Sequence, residues 1–376
     1  MKKILFCVTY YYPHISGLTN YVKNIAEMLV KDNFVVTVLA AKHSNNLLGS
    51  EEINNVKTVR VPYLFKVSKG FFMPLFILYA LGELRKTEQV VIFLPQFEGV
   101  LIAILAKIMR KKIHAVYVCE IVHIGSISSF IGLLLKSSHQ IVLLLADDVI
   151  SLTKDFAEHS SMHLRHKHKL KIIAPFVSAP VVNKNEILLL RKKIGTKKNL
   201  VGFVGRIAEE KGIEYLIETA PLLQKEFKNN FAIILAGPAR TVGEEKYAQK
   251  INQLIIKYKN NIVRLGELPE EKLGAFYSLL DVLVLPSVSS TEAFGIVQVE
   301  AMLCGTPVVA SDLPGVRVPI ELTGMGEVIK VKNTRDLAEK IIKVIRSRKD
   351  YIKNKKELGE IFSADKILNQ YKKLFS

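Results

Sequence analysis

The sequence predicts an α/β protein built from two doubly wound, Rossmann-like domains that face each other across a cleft. Three observations carry this expectation. Short β-rich apolar runs alternate with longer segments of helical period along the whole chain, which is the pattern of parallel strands covered by helices. The alternation is interrupted once, at APFVSAPVVNKN after residue 173, and then begins again. The length of 376 residues suits two domains, at roughly 100 to 200 residues per domain.

Taken in order, strands are expected at 4–9, 34–39, 90–93, 115–118 and 148–152, with helical stretches such as 18–31 between them. The opening MKKILFCV imitates a signal peptide. Its apolar run ends at Val8 and meets Tyr10, Tyr11, Tyr12 and Pro13 without a small-residue cleavage site, so it reads as the first strand. Beyond the interruption, strands are expected at 200–204, 232–236, 262–265, 282–285 and 307–310. The domains are therefore placed at 1–178 and 179–360. The last segment, 361–376, carries Ile367, Leu368, Tyr371 and Leu374 at helical spacing, and is expected to pack back on the first domain. Ligands of such sheets bind beyond the carboxyl ends of the strands, in the cleft.

Composition narrows the function. With 49 % hydrophobic and 23 % charged residues the chain is no disordered basic tail. Its 53 Lys and Arg against 35 Asp and Glu give a net charge of +18, shared evenly between the halves. An evenly basic globular protein meets anionic partners, either nucleic acid, a membrane surface or phosphorylated small molecules, unless the charge serves solubility alone. Cys7, Cys119 and Cys304 each lie in an apolar stretch and form neither a disulfide framework nor a zinc spacing. They read as core residues in a reducing, cytoplasmic compartment. Residues 159–168 hold four of the nine histidines and read as a solvated loop, since no carboxylate or thiolate among them supports a metal. The most apolar stretches, 71–81, 99–106 and 141–146, fall short of the roughly 18 residues a spanning helix needs.

The chemistry is expected in three motifs. In PSVSSTEAFGIVQVEAMLCGTPVVASDLPG, residues 286–315, one helix over 294–303 lies between two strands and ends at Gly305. That helix is apolar on nearly every side, so a carboxylate at Glu300 needs hydrogen-bond donors, which a ligand would supply. Glu292 lies just before the helix, where Gly295 lets the backbone approach a ligand closely. Free amides at Phe294, Gly295 and Ile296 would form an anion site aided by the helix dipole. The two glutamates, eight residues apart, would span about 12 Å if helical throughout, the reach of a ligand with hydroxyls at both ends and phosphate between. In LVGFVGRIAEEKGIEYL, Arg206 and Lys211 occupy a loop at the carboxyl edge of a strand, where they can contact a diphosphate. In YYPHISGLTNYVKNIAEML, Gly17 marks a backbone position needing close approach or positive φ. It is not a GxGxxG fingerprint, so hydride chemistry on a dinucleotide finds no support.

Together these residues resemble the retaining glycosyltransferases of family 4, also called glycosyl transferases group 1, with the GT-B fold. The most specific element is the pair of glutamates in EAFGIVQVE, followed by EAMLCGTPVVAS and LPG. The resemblance implies that Glu292 approaches the donor sugar, Glu300 holds the ribose, the amides of Phe294, Gly295 and Ile296 take the diphosphate, and Arg206 and Lys211 neutralise it. Gly17 stands in the family's glycine loop, although Leu18 follows it where many members have a second glycine. Many members also end the fourth strand of the first domain with a histidine near the reacting sugar. Here IHAVYVCEIVHIG offers Glu120 or, three residues further, His123.

The implied reaction moves a sugar with retention from a UDP- or GDP-linked donor to a hydroxyl of a glycan or lipid-linked acceptor. No cofactor is implied, and no DxD motif is present to hold a metal. FFMPLFILYALGELRK and LIAILAKIMRKK combine apolar and basic residues and suggest peripheral contact with anionic lipid at the cytoplasmic face of a membrane. Nucleic acid is not an expected partner, since Trp is absent and no basic motif with interleaved aromatics occurs. The competing readings are a GT-B epimerase or phosphorylase, and a non-catalytic binder of membrane or polyanion.

Overall fold

The computed structural model describes the chain except residues 15, 68–69, 121–125 and 239–243, together with the side chains of 67 and 126–131. It divides into two compact units, 1–176 with 364–376, and 177–363.

The first unit contains Lys3–Cys7 (β1), Val35–Ala41 (β2), Ser50–Ile53 (β3), Val56–Val61 (β4), Phe65–Val67 (β5), Gly70–Phe72 (β6), Gln89–Leu94 (β7), Lys112–Tyr117 (β8), Asp148–Ser151 (β9) and Leu170–Ile172 (β10). Eight of them form one sheet in the order β10-β9-β8-β7-β1-β2-β4-β3. Every pairing in it is parallel except that of β3 with β4. The central strands are apolar on both faces because helices cover both. All six residues of β7 are buried, and each buried aliphatic side chain contributes about 1.5–3 kcal/mol. The strands β3 and β4 were not expected. They turn at Asn54 and Asn55, both with positive φ, as a tight hairpin between twisted strands requires.

Helix Gly17–Lys31 (α1) begins at Ser16, whose hydroxyl accepts from the Thr19 amide, and buries Tyr21, Val22, Ile25 and Leu29. The C-terminal helix Ala364–Phe375 lies against it. Tyr371 and Tyr21 share a hydroxyl hydrogen bond of 2.7 Å, and the Gln89 amide donates to the Phe375 carbonyl at 2.9 Å. Phe76–Leu84 (α2) leads into β7, Gly99–Ile108 (α3) joins β7 to β8, and Ser126–Leu145 (α4) joins β8 to β9. Their crossovers step through the sheet in one direction, which puts them on one face. Among the described residues no helix is long and apolar enough to cross a membrane.

Two expectations need correction here. Residues 159–168 are not a solvated loop: two short helices and a 3-10 turn form there, His163 and His166 are buried, and the His163 ring packs edge-on against Tyr117 and Phe156. Burial holds the His163 imidazole down to about 4, since a dry site disfavours the charged ring. Of the three thiols only Cys7 belongs to the core, while Cys119 and Cys304 are half-buried.

The second unit carries Asn199–Val204 (β11), Phe231–Ala236 (β12), Ile262–Gly266 (β13), Val282–Leu285 (β14), Val308–Ser311 (β15) and Gly326–Ile329 (β16), all parallel, in the order β13-β12-β11-β14-β15-β16. The chain winds outward from β11 through β12 to β13, then returns to β11's other side and winds the opposite way. The order therefore reverses between β11 and β14. Such a reversal, at the carboxyl ends of the strands, is the place where open α/β sheets bind ligands.

Candidate functional site

The reversal between β11 and β14 brings together two loops far apart in sequence. The loop after β11 ends in a 3-10 turn, Glu209–Lys211, capped by Gly212 at φ +60°. A Cβ on Gly212 would lie 2.3 Å from the Pro286 carbonyl oxygen and 2.7 Å from Val288 Cγ1, so only glycine lets this turn abut the loop after β14. The Val288 amide, donating to the Glu210 carbonyl at 3.0 Å, joins the same two loops.

Lys211 is thereby placed beside Glu292, and its ammonium forms an ion pair with Oε2 of that carboxylate. The other oxygen, Oε1, accepts from the Gly295 amide at 3.1 Å. Glu292 is thus held at both oxygens, with less than a fifth of each partner's side chain exposed. Arg206 is not part of this pair. Its guanidinium donates to Glu210 at 2.8 Å and is the more exposed of the two cations. Both cations face carboxylates, so the loop has little uncompensated positive charge of its own.

The helix after Glu292 runs Ile296–Leu303, two residues later than expected, with Gly295 as N-cap at φ +75°. Glu292 therefore precedes the helix, and the span of the two glutamates is not helical throughout. A Cβ at Gly295 would lie 2.5 Å from Leu285 and 2.6 Å from Gln298 Nε2, so the tight entry depends on glycine. The Gly295 amide, expected to be free for an anion, is instead engaged by Glu292 Oε1, and the Gln298 amide donates to the Gly295 carbonyl at 2.9 Å; the Phe294 and Ile296 amides are left to meet an anion, aided by the helix dipole. Phe294 is buried at this entry, and its carbonyl accepts from Gln298 at 2.9 Å.

Gln298 is a residue the motif reading missed. Fully buried, it donates through Nε2 to the carbonyls of Phe294 and Val316, both at 2.9 Å, tying the entry of the helix to the later LPG turn. Its signal was present: a lone amide in an otherwise apolar run. Tyr277 was missed as well. Its hydroxyl, in the helix Glu270–Leu279, donates to Glu300 Oε2 at 2.6 Å. The donor that a half-buried Glu300 requires is thus partly supplied by the protein. Burial still holds the Glu300 carboxyl above its usual range, against the lowering effect of the Tyr277 bond.

In the first unit, Gly17 opens α1 without a positive φ, and an added Cβ would meet nothing within 4 Å. Neither strain nor crowding by the protein requires glycine there, contrary to expectation. His123 lies outside the described residues. Glu120 is half-buried beyond the end of β8 and accepts from the Tyr117 hydroxyl at 3.1 Å. A histidine not singled out from the sequence, His139 on α4, is buried near the end of β7 and accepts through Nε2 from the Gln96 amide at 3.3 Å. Burial lowers its basicity to about 4, which makes it a neutral acceptor.

The profile of the family described as Glycosyl transferases group 1 matches residues 187–358, the stretch that holds Arg206, Lys211, Glu292 and Glu300. Over 96 % of its length the chain is 29 % identical to 95 % of an uncharacterized glycosyltransferase of Methanocaldococcus jannaschii. Among solved structures, the chain superposes over its full length on 99 % of Anabaena Alr3699/HepE in complex with UDP and glucose, with a TM-score of 0.79 at 20 % identity. It also superposes over its full length on 98 % of the sucrose-phosphate synthase of Thermosynechococcus elongatus, with a TM-score of 0.77 at 19 % identity. These likenesses establish the fold as GT-B.

Proposed function

We propose that this chain, whose comparisons support a group 1 glycosyltransferase using a nucleotide-sugar donor, is a retaining enzyme that transfers a sugar from a UDP- or GDP-linked donor to a hydroxyl of a glycan or lipid-linked acceptor. The observation that carries this reading is the Glu292 carboxylate held between Lys211 and the Gly295 amide, where the strand order of the second sheet reverses. A carboxylate so fixed can accept hydroxyl hydrogen bonds from a sugar without moving. The helix amides that follow it meet the adjoining diphosphate, and Glu300, set by Tyr277, accepts from the ribose.

In the reaction the bond from the anomeric carbon to the diphosphate oxygen breaks, and the bond to the acceptor oxygen forms on the same face. The acceptor proton passes to the departing phosphate oxygen, so no separate base is needed. Negative charge grows on the diphosphate as it leaves. Lys211, Arg206 and the first-turn amides stabilise that charge, which is where electrostatic catalysis acts. No step calls on a metal or a cofactor.

Calorimetric titration with UDP, GDP and ADP sugars, followed by transfer assays on the best binder, tests the proposal. Binding of a UDP or GDP sugar that Lys211→Ala weakens, together with an α-linked product from an α-linked donor, is the expected outcome. An inverted product overturns retention, and the absence of binding by any nucleotide sugar overturns the assignment.

A further inference from the structure

We propose that the outward face of α2, α3 and α4 docks on a lipid surface with anionic headgroups. This goes beyond the transfer reaction and does not depend on it. A helix covering a sheet normally turns an apolar stripe inward and polar residues outward. Helix α1 does so, with Asn20, Lys23, Asn24, Glu27 and Lys31 on its accessible side. On the opposite layer both sides are apolar. Helix α3 buries Ile102, Ala103 and Ala106 against the sheet while exposing Leu101, Ile104 and Ile108, and its neighbours expose Leu78 from α2, and Leu133 and Leu144 from α4. Leu78, Ile108 and Leu144 are 62 %, 73 % and 65 % exposed. A single exposed leucine is ordinary, but α2 packs beside α3 and α3 beside α4, so these side chains stand on three neighbouring helices of one layer.

Charge identifies the occupant. Between residues 72 and 147 the exposed cations are Arg85, Lys86, Lys107, Arg110, Lys112 and Lys136, and the exposed acids are only Glu88 and Asp147. Glu83 and Glu98 are buried. Arg85 and Lys86 follow the end of α2, and Lys107 and Arg110 lie at the end of α3, so four cations gather at one end of the face. Asp147 pairs with Lys107 at 3.4 Å, and Glu83 with Lys86 at 2.8 Å. A second copy seated on this face would bury cations from both partners with few acids to meet them, whereas stable protein interfaces are depleted of Lys at their centre. A lipid leaflet suits both features at once: apolar side chains enter the acyl boundary, and Lys and Arg stems reach up to anionic headgroups.

Sedimentation of the full chain with phosphatidylcholine vesicles, with and without phosphatidylglycerol, tests this. Wild type should pellet with phosphatidylglycerol vesicles at low salt and be released by high salt. The triple variants Leu78→Ser, Ile108→Ser, Leu144→Ser and Arg85→Gln, Arg110→Gln, Lys136→Gln change only exposed side chains, and circular dichroism checks their folding. The charge variant should lose roughly a hundredfold in partitioning, and the apolar variant at least about tenfold. No binding by wild type at low salt, or unchanged binding by both variants, overturns the proposal. So does a wild-type dimer in light scattering that the apolar triple variant dissociates without any vesicle binding. Failure of sugar transfer with vesicle binding intact leaves this inference standing and overturns only the catalytic one.

Discussion

The two units are wound alike from parallel strands, yet their positive charge is arranged in opposite ways. In the second unit the two cations of the loop after β11 each meet a carboxylate, Lys211 with Glu292 and Arg206 with Glu210. In the first, Arg85, Arg110 and Lys136 stand exposed beside apolar side chains of α2, α3 and α4. A basic total is shared by both halves, so the total says nothing about use. Charge fixed by a partner marks a place where geometry matters, and charge loosely held on a face marks attraction without registry.

The largest expected effect falls on the fixed charge. Lys211→Ala should lower kcat by about 10²–10³-fold, the scale of losing one preorganised donor at a developing anion. It also leaves Glu292 without its cation, so that carboxylate loses one of the two partners that hold it. Arg206→Ala, more exposed and held only by Glu210, should cost roughly tenfold. Steady-state kinetics with a saturating acceptor measure both, and equal losses would erase the distinction drawn between the two cations. Vesicle binding should be the same in both variants as in wild type.

Next comes the scaffold of that site. Gln298→Leu removes the amide that serves two buried carbonyls and should destabilise the second unit by about 2–6 kcal/mol, from two unsatisfied acceptors at roughly 1–3 kcal/mol each. Urea unfolding gives the value. A change below about 0.5 kcal/mol would mean that the LPG turn does not rely on this tie. The equivalent test on the first unit, Leu101→Gln on exposed α3, should leave stability within about 0.5 kcal/mol.

How much of this was legible in the sequence depended on the range of each signal. The central strands were readable because helices cover both faces and make them continuous apolar runs, as in QVVIFL of β7. The edge hairpin of β3 and β4 was not, since SEEINNVKTVRV mixes polar and apolar residues, and only its paired asparagines announce the turn. In the site, the motif supplied Glu292 and Glu300, but not their partners. Lys211 lies 81 residues from Glu292, and Tyr277 sits on a different helix from Glu300. Those pairings follow from the strand order, which periodicity does not encode. Gly17 was read as needing close approach or positive φ, and the second of these fails: the backbone there is ordinary and the space around it is open.

The smallest effect sharpens the contrast between the units most directly, because it asks whether the site's charge weakens the fold. Burial holds the Glu300 carboxyl above its usual range. A group whose pKa is raised on folding contributes stability below its unfolded pKa, near 4.5 for Glu, and that contribution is lost as pH rises through the higher folded value. Above that range the Glu300 carboxyl is therefore a liability that a neutral amide of the same shape removes. Glu300→Gln should be more stable than wild type at pH 7 by up to about 1 kcal/mol, with the difference closing toward pH 4, and it should bind donor roughly tenfold more weakly. Tyr277→Phe should act in the opposite sense on stability, because its hydroxyl favours the ionised form. Urea midpoints for the three proteins at pH 4 and pH 7 decide the matter. A Glu300→Gln variant less stable than wild type at pH 7 would show that Tyr277 fully compensates the buried charge, and that this site, like the exposed face of the first unit, holds its charge without strain.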